Sequence, residues 1–350
     1  MRDVVKTLSR RSLLLSISAL TLARSAKTVR AADEPATIAI QLSLDRPIDA
    51  IAAPFVLAST RGLYRAENLN VTTNIANGTR DAIARVASGA SDMALADINA
   101  LMRYRDAADA TPIKAVFMLL NRAPYAIIAR KSRGVTSLGS LEGKTLGVAD
   151  GDLAIRLWPA LAHRNNIKLA SVKQEKISAA VREPMLSAGQ VDAVTGFSYL
   201  SAVNLRDRGV PADDLAVFRF ADYGCAAYGL AIIVNPKFVA EKPAAVKGFV
   251  RAIAAATQLA IRQPAAAIDA VLTQMDNGSR ELELERLGIA IRDNILTDDV
   301  RRDGLGGIDA ARFEASIGEV AEDAAFRKRP TASDIFDDAF LPGSVGRKIN

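Results

Sequence analysis

The residues that could do chemistry in this chain are polar side chains that follow predicted strands. They are Gln41 and Asp45 after the first strand, Asn77, Thr79 and Arg80 at the start of a helix, and Asp97 after the third strand. Open α/β sheets bind ligands at the carboxyl edge of their parallel strands. The pattern therefore predicts a small-molecule binding site. A structural role is the alternative for three of these residues, because Thr79 and Asp97 could cap helices and Arg80 could pair with nearby acids.

A helix–strand–helix–strand segment over residues 53–97 must position these side chains. Residues 69–75 alternate between apolar and polar types as a β-strand does. Asn77 then begins a second helix, and Gly89 is typical of a helix stop. Residues 93–96 form a short apolar run that predicts a buried strand. Each strand-to-helix junction therefore lies at the carboxyl edge of a predicted parallel sheet.

The chain contains one cysteine and one histidine, which excludes several kinds of catalytic site. Cys225 has no partner for an internal disulfide, and His163 alone cannot form a histidine-rich zinc site. A Ser-His-Asp triad is possible only if His163 belongs to it. That histidine follows a predicted helix among polar residues, which favours a surface position. We therefore predict no metal, no cofactor, no catalytic residues and no enzymatic activity.

The formal net charge of +6 comes from the first 31 residues. Residues 1–31 hold seven Lys or Arg and one acid, which leaves 38 basic and 38 acidic residues in the rest of the chain. A nucleic-acid binder needs an excess of fixed positive charge, so that class is excluded. Residues 9–14 resemble a twin-arginine export motif and precede an apolar run over 13–22. The sequence predicts cleavage after Ala31 and a periplasmic protein with no membrane-spanning segment after the leader.

The order of motifs in the 53–97 segment resembles a known family. An apolar helix, then Gly62-Leu63-Tyr64, an alternating strand, a short helix and Ser88-Gly89-Ala90-Ser91-Asp92 are similar to the substrate-binding proteins of ABC importers. The ligands of that family are nitrate, sulfonates, taurine and thiamine-pyrimidine precursors. The resemblance extends over about residues 38–270. It implies an α/β, two-lobed periplasmic binding protein of type 2, in which each lobe is a mostly parallel sheet flanked by helices.

We place lobe one at residues 36–122 plus 229–350 and lobe two at residues 125–227. The apolar runs at 124–130 and 228–234 are the predicted hinge strands between them. Gly-x-x-Asp followed by an apolar strand occurs at Gly89 and again one hundred positions later at Gly189. We interpret this as two lobes built alike, although a glycine stop before a strand is common in α/β chains. The last twenty-odd residues are expected to pack on lobe one as a helix or arm.

In lobe two the resemblance places ligand contacts at Asp150 and Asp152. Many relatives carry Gly with Ser or Thr there, which suits an anion on a helix N-terminus. Because two aspartates would repel an anion, we expect the ligand group that meets lobe two to be neutral or cationic. Aromatic and polar residues near the predicted hinges could sandwich a flat ligand, although aromatic side chains usually pack in cores. These further candidates are Tyr125, Phe197, Tyr199, Asp222, Tyr223 and Tyr228.

The resulting hypothesis is a monomeric solute-binding component of an ABC importer. It would capture a small polar or heterocyclic molecule and deliver it to a membrane permease that a cytoplasmic ATPase drives. An exported subunit that senses a ligand for a membrane kinase is one alternative, since both use the same lobes. A second alternative is an enzyme of the same fold that makes the thiamine pyrimidine from its own histidine with a cysteine-rich iron motif. The absence of a cysteine cluster argues against that enzyme.

Overall fold

The computed structural model describes residues 37–149 and 151–349. The leader and Asp150 therefore lie outside the described residues, and what the sequence predicts for them remains a prediction. The strands are β1 (Ile38–Leu44), β2 (Leu69–Ile75), β3 (Met93–Asp97), β4 (Lys114–Met118), β5 (Tyr125–Arg130), β6 (Thr145–Ala149), β7 (Lys173–Ile177), β8 (Ala193–Phe197), β9 (Leu215–Arg219) and β10 (Leu230–Val234). The helices are α1 (Ala53–Thr60), α2 (Leu63–Ala66), α3 (Gly78–Ser88), α4 (Ile98–Tyr104), α5 (Ala154–Arg164), α6 (Arg182–Ser187), α7 (Ser201–Asp207), α8 (Pro236–Glu241), α9 (Pro243–Arg262), α10 (Pro264–Leu272), α11 (Arg280–Ala290), α12 (Asp298–Asp303), α13 (Ala310–Asp323), α14 (Ala332–Ile335) and α15 (Ser344–Arg347).

The strands form two five-stranded sheets with equivalent orders. The first sheet runs β2-β1-β3-β10-β4, and the second runs β7-β6-β8-β5-β9. In each sheet the first three strands in this order run parallel to one another. The fourth strand, β10 or β5, pairs antiparallel with both of its neighbours. The predicted α/β, two-lobed architecture with parallel-rich sheets is confirmed. We use "first lobe" and "second lobe" for these two sheets with the helices packed on them.

The segment over residues 53–97 has the predicted order of helix, strand, helix and strand. Gly89 has a φ of 80° and Gly189 a φ of 70°, a left-handed conformation in which a side chain is strained. That requirement explains why glycine occupies both helix ends. Gln41 is an exception among the predicted site residues, because it lies inside β1 rather than after it. The alternation of the strand exposes Gln41 to solvent, where it bonds to Asn74 at 3.2 Å.

Two short segments, residues 119–124 and 220–229, connect the sheets and hydrogen-bond to each other. The Gly229 amide donates to the Leu120 carbonyl at 3.0 Å, and the Ala123 amide donates to the Ala227 carbonyl at 3.0 Å. A Cβ at Gly229 would lie 2.9 Å from the Leu120 Cβ, so the close approach requires glycine. The predicted hinge runs at 124–130 and 228–234 mainly form β5 and β10, inside the sheets. The proposed residue bounds of the lobes remain a prediction.

Helix α9 is 20 residues long and apolar enough, by length and composition, to cross a membrane. The expectation that no segment after the leader has this property is therefore corrected. However, 61% of that helical window is buried inside the protein. Phe249 stacks on Tyr64 with a centroid distance of 5.3 Å and belongs to the same core cluster as strand residues Ile40 and Leu42. These contacts make α9 a core helix of the first lobe.

The C-terminal residues pack on the first lobe, as predicted. Phe336 forms a parallel bridge to Ala115 in the edge strand β4, and the Asp337 amide donates to the Ala115 carbonyl at 2.9 Å. Phe336 and Phe340 are both buried. This arm covers an edge that would otherwise present unpaired backbone groups.

Candidate functional site

A cavity of about 290 Å³ lies between the strand ends of the two lobes. Its walls come from the carboxyl ends of β1, β3, β6 and β8, from the start of α3 and from the first connecting segment. We call it the cleft. Its lining residues are Asp45, Arg46, Gly78, Thr79, Asp97, Pro124, Ala149, Gly151, Asp152, Leu153, Ala179, Arg182, Phe197 and Leu230.

Asp97 lies at the end of β3 and has two roles at once. Its Oδ1 accepts a hydrogen bond from the Asn99 amide at 2.9 Å and caps α4. Its Oδ2 accepts the Tyr125 hydroxyl from the second lobe. Burial raises the pKa of Asp97 to about 6, and the hydrogen bonds from Tyr125 and Asn99 oppose that shift. The capping alternative for Asp97 is correct, yet the residue also lines the cleft.

Asp45 is held by an arginine that the sequence analysis did not select. The Arg46 guanidinium donates to both oxygens of Asp45 at 2.9 Å. Thr79 donates to Asp45 Oδ2 at 2.8 Å, and its hydroxyl accepts the Asp97 amide at 3.3 Å. Thr79 lies inside α3 and is not its cap, because Asn77 occupies that position. Thr79 therefore links the Asp45 carboxylate to the backbone of Asp97 at the end of β3.

Asp152 is likewise paired with an unselected arginine. Its Oδ1 accepts the Ala154 amide at 2.9 Å at the start of α5. Its Oδ2 accepts the Arg182 Nη1 at 3.2 Å and the Thr195 hydroxyl. The Arg182 Nε is buried and has no hydrogen-bond partner among the described residues. This ion pair removes the reason for expecting Asp152 to repel an anion, because the arginine compensates its charge.

An arginine and two aromatic rings connect the lobes across the cleft. The Arg46 Nη1 donates to the Tyr199 hydroxyl at 2.9 Å, and the Arg46 Cζ lies 5.2 Å from the centroid of the Phe197 ring. The Phe197 and Tyr199 rings stack at 5.9 Å. Phe197 lines the cleft, whereas Tyr199 is fully buried behind it. Tyr125 is also fully buried and reaches the cleft only through Asp97.

Four predicted residues near the connecting segments and α3 lie outside the cleft. Asn77 is exposed, and its amide donates to Asp81 at 2.8 Å. Asp222 pairs with Arg219 at 2.7 Å. The Tyr223 ring meets Phe218 edge-on at 6.1 Å. Arg80 lines a second cavity beside the cleft.

Tyr228 is also outside the cleft, because it packs against the C-terminal helices. Its hydroxyl accepts the Asp309 amide at 2.9 Å, and its ring lies 5.6 Å from Phe313. The Arg312 Cζ lies 4.0 Å from the same ring. His163 is at the end of α5 with its side chain 83% exposed, as the sequence predicted. Among residues 37–149 and 151–349, no group of His, Cys, Asp or Glu has an arrangement that could hold a metal ion.

Sequence reasoning missed Arg46 and Arg182, although both have a visible signal. Arg46 follows directly after the selected Asp45. Arg182 begins α6, which follows β7 at the same sheet edge. A search for cations next to each predicted strand end would have found both.

Residues 50–267 match the family described as NMT1/THI5 like. The 4-amino-5-hydroxymethyl-2-methylpyrimidine phosphate synthase of Schizosaccharomyces pombe is 27% identical over 219 residues, which cover 60% of this chain and 62% of that protein. Riboflavin-binding protein RibY of Chloroflexus aurantiacus is 29% identical over 208 residues, which cover 57% of this chain and 56% of that protein. The alignments thus span about three fifths of these relatives.

Among solved structures, the periplasmic aliphatic sulphonate binding protein SsuA from Escherichia coli superposes with a TM-score of 0.70 at 13% identity. The superposition covers 87% of this chain and 94% of that one. It confirms the fold that the resemblance implied, and the family match confirms the resemblance itself. At 13% identity this similarity is evidence for the fold alone.

The names of the relatives overturn one prediction. The sequence analysis expected no enzymatic activity, yet several relatives at 26–27% identity are named as a pyrimidine phosphate synthase, which is an enzyme. The residue counts excluded particular catalytic sites and could not exclude catalysis in general. The prediction that the chain is not an enzyme is therefore withdrawn.

Proposed function

We propose that this chain, which belongs to the NMT1/THI5-like family, captures a flat polar heterocycle of the aminopyrimidine class between its two lobes. The observation that carries the proposal is the cleft. Polar groups of both lobes and one aromatic ring, that of Phe197, line a cavity of about 290 Å³. A relative named as a pyrimidine phosphate synthase and another named as a riboflavin-binding protein support a heterocyclic ligand.

The charges of the cleft suit a neutral heterocycle. Asp45 is paired with Arg46, and Asp152 is paired with Arg182. Each pair offers a carboxylate acceptor beside a guanidinium donor, which matches the alternating donors and acceptors of an aminopyrimidine edge. Phe197 supplies an apolar ring face for stacking. Such a ligand would add no further charge to a partly buried site, in which Asp97 is the one described carboxylate without an ion pair.

We further propose that the chain acts outside the cytoplasm and delivers its ligand to an ABC-type permease. The twin-arginine-like leader supports export, and the superposition on a periplasmic binding protein supports the same compartment. Permease and ATPase partners follow from that role. A sensor subunit that reports ligand binding to a membrane kinase would use the same cleft. Pull-down of the tagged chain from membranes, followed by identification of the captured subunits, distinguishes these two roles.

A thermal-shift and calorimetry screen tests the ligand class. The probes are 4-amino-5-hydroxymethyl-2-methylpyrimidine, riboflavin and an aliphatic sulfonate. A ligand at a thousand times its Kd adds about 4 kcal/mol to the free energy of unfolding, which raises Tm measurably. We expect a shift with a heterocycle and none with the sulfonate. A shift with the sulfonate alone would overturn the proposal.

Two variants locate the binding in the cleft. Phe197→Ala removes the ring face and is expected to weaken heterocycle binding about tenfold, since base–aromatic stacking contributes about 1–3 kcal/mol. Tyr223→Ala is the matched control, because Tyr223 is an aromatic residue near the second connection that does not line the cleft. Equal effects of both variants would mean that the ligand binds elsewhere.

A second candidate function is synthesis of a pyrimidine phosphate, which the names of several relatives favour. Mass spectrometry of the purified chain, incubated with cell extract and then separated from it, would reveal a newly formed pyrimidine phosphate. Because the synthase of this fold builds the pyrimidine from its own histidine, at most one product per chain is expected, and product together with a changed mass at His163 would establish the synthesis. Release of unchanged ligand would support binding alone.

A further inference from the structure

Helix α11 and the turn that continues it contact the second lobe through residues that do not line the cleft. The helix belongs to the first lobe, because Leu287 is buried in the same core cluster as Ile40 of β1. It continues into a π-helical turn over Ile291–Ile295, in which the Leu296 amide donates to the Ile291 carbonyl at 2.8 Å. We call α11 together with this turn the strap.

The helical part of the strap is joined to α7 of the second lobe. The Arg286 Nη2 donates to the Asn204 Oδ1 at 2.6 Å. Arg206, two residues further along α7, forms an ion pair with Glu285. Because α7 follows β8 of the second sheet, these contacts cross from one lobe to the other.

The π-helical turn of the strap holds the two segments that connect the sheets. Asp293 Oδ2 accepts the Arg219 Nη1 at 2.9 Å, and Arg219 ends β9 directly before the second connecting segment. The Asn294 carbonyl accepts the Arg122 amide of the first connecting segment at 3.0 Å. Carbonyls at a helix end lack an intrahelical partner, and the connecting segment supplies one here. The Asn294 Nδ2 also donates to the Arg122 carbonyl at 3.2 Å.

A cavity of about 70 Å³ lies between the strap and the two connecting segments. The buried Ser198 Oγ and Asn294 Oδ1 belong to residues that line it, and neither atom has a hydrogen-bond partner among the described residues. Buried polar atoms are usually paired, and close packing resists relative movement. The connecting segments therefore have room to move against the strap.

The arrangement that the strap holds is one in which both lobes form the walls of the cleft. Asp45 and Thr79 of the first lobe and Asp152 and Phe197 of the second lobe line the same cavity of about 290 Å³. A ligand that contacts both walls at once favours this arrangement over one with the lobes apart. The strap favours the same arrangement through contacts that a ligand in the cleft does not touch.

We infer that the strap is a latch that sets the population of the lobe arrangement able to bind a ligand. In a two-state equilibrium the apparent Kd is the intrinsic Kd divided by the fraction of the protein in the binding-competent arrangement. The latch therefore changes affinity without changing what the ligand contacts. Its effect on the lobes is independent of the ligand, whereas its effect on affinity rests on the proposed function, because it requires a ligand in the cleft.

Loosening the latch with shape-conserving substitutions tests the inference. Glu285→Gln and Asp293→Asn, combined in the full chain, remove the charges that pair with Arg206 and Arg219. Ion pairs that are partly exposed contribute little to folding, so the double variant is expected to fold, which Tm verifies.

Asp269→Asn is the matched control. Asp269 pairs at 2.6 Å with Arg280, which is on the same helix as Glu285. Helix α10, which carries Asp269, packs in the core of the first lobe through Ile268 and Val271. The control therefore removes a charge pair of α11 that does not cross between the lobes.

Small-angle X-ray scattering and calorimetry measure the two effects, with 4-amino-5-hydroxymethyl-2-methylpyrimidine as the probe. Without the probe, we expect the double variant to have a larger radius of gyration than the control. With saturating probe, the two radii should be equal. The Kd of the double variant for the probe should rise about fivefold, and that of the control should stay at the wild-type value.

The outcomes separate this inference from the proposed function. An unchanged radius in the double variant overturns the latch, even if the Kd rises, because the loss of affinity would not come from the lobe arrangement. A larger radius with an unchanged Kd also overturns it, since the strap would then not control binding. If the probe does not bind the wild-type chain, the proposed ligand class fails, and the radii without probe alone decide whether the strap holds the lobes.

Discussion

The two lobes share a junction at which a glycine follows a helix and an aspartate lies three residues later. The aspartate connects the start of β3 to β1 in the first lobe and the start of β8 to β6 in the second lobe. In the first lobe the Gln41 amide donates to Asp92 Oδ2 at 2.7 Å, and the Asp92 amide donates to the Gln41 carbonyl at 2.9 Å. In the second lobe the Thr145 amide donates to Asp192 Oδ2 at 2.9 Å, and the Asp192 amide donates to the Thr145 carbonyl at 3.0 Å. The two lobes repeat the same strand junction.

The equivalent strands differ where they meet the cleft. Strand β3 ends in Asp97, which caps the following helix, whereas β8 ends in Phe197 and the helix after it has no side-chain cap. In the second lobe it is Asp152, after β6, whose carboxylate accepts an amide at the start of a helix, α5, one residue before the N-cap Leu153. The shared junction lies away from the cleft, and the difference lies at its edge. A repeated backbone plan can therefore present different ligand chemistry from each lobe.

The largest effect should come from breaking the ion pair of the second lobe. Asp152→Ala leaves the largely buried Arg182 guanidinium with only a 3.8 Å contact to Glu183 and removes the bond to the Ala154 amide. We expect the free energy of unfolding to fall by about 3–5 kcal/mol in urea titrations. Asp152→Ala with Arg182→Met should recover part of that loss. No recovery in the double variant would show that the unpaired charge is not the cause.

Asp97 should make the free energy of unfolding depend on pH. Burial raises the pKa of Asp97 to about 6, above its ordinary value of 3.8. The folded state therefore holds this proton more tightly than the unfolded state. The resulting stabilisation is complete below about pH 4 and disappears as pH rises through 6. Compared with wild type, Asp97→Asn should remove about 2–3 kcal/mol of this pH-dependent change.

Asp49 is a second buried carboxylate that should contribute to the same pH dependence, so its effect must be measured alongside that of Asp97. Its pKa is also raised to about 6, chiefly by burial. Asp49→Asn should remove a second part of the pH dependence, and the two effects should add unless the sites interact. Urea unfolding at several pH values between 4 and 7 measures both. An Asp97→Asn profile parallel to wild type would contradict the assignment to Asp97.

The strand junctions should respond equally in the two lobes. Asp92→Ala and Asp192→Ala each remove one side-chain hydrogen bond to a strand amide. We expect each to lower the free energy of unfolding by about 1–2 kcal/mol. Asp192 also lies 3.6 Å from Arg133, a surface pair that adds little. A difference between the variants of more than about 2 kcal/mol would mean that the two junctions share a geometry but stabilise the folded state to different extents.

The smallest effect is expected at the contact between the lobes. Tyr199→Phe removes the hydrogen bond from the Arg46 Nη1 and leaves the Arg46–Asp45 ion pair intact. The lost hydrogen bond amounts to about 1 kcal/mol, which should favour separation of the lobes in the absence of ligand. Small-angle X-ray scattering should show a larger radius of gyration than in a Tyr223→Phe control, because Tyr223 does not line the cleft. An unchanged radius would mean that other contacts hold the lobes together.

Much of the frame could be predicted from the sequence because it depends on local pattern. Alternation identified β2, and glycine stops identified the ends of the helices before β3 and β8. Pro243 and Pro264 are the first residues of α9 and α10, a position at which the missing N–H of proline costs no helical hydrogen bond. The position of Asp97 after a buried apolar run was sufficient to place it at a sheet edge. Periodicity and backbone preference are properties of neighbouring residues, so one chain is enough to reveal them.

The partners of the site residues were decided only by the tertiary structure. Arg46 reaches Tyr199, 153 positions away in the chain, and Tyr125 reaches Asp97 from the other lobe. Tyr228 was predicted to contact the ligand, but its side chain packs against the start of α13, where its ring is buried. The type of a side chain and the pattern around it do not predict which distant group it will contact in the folded protein. Charge pairing and burial are set by the packing of both lobes, and these decided which candidates face the cleft.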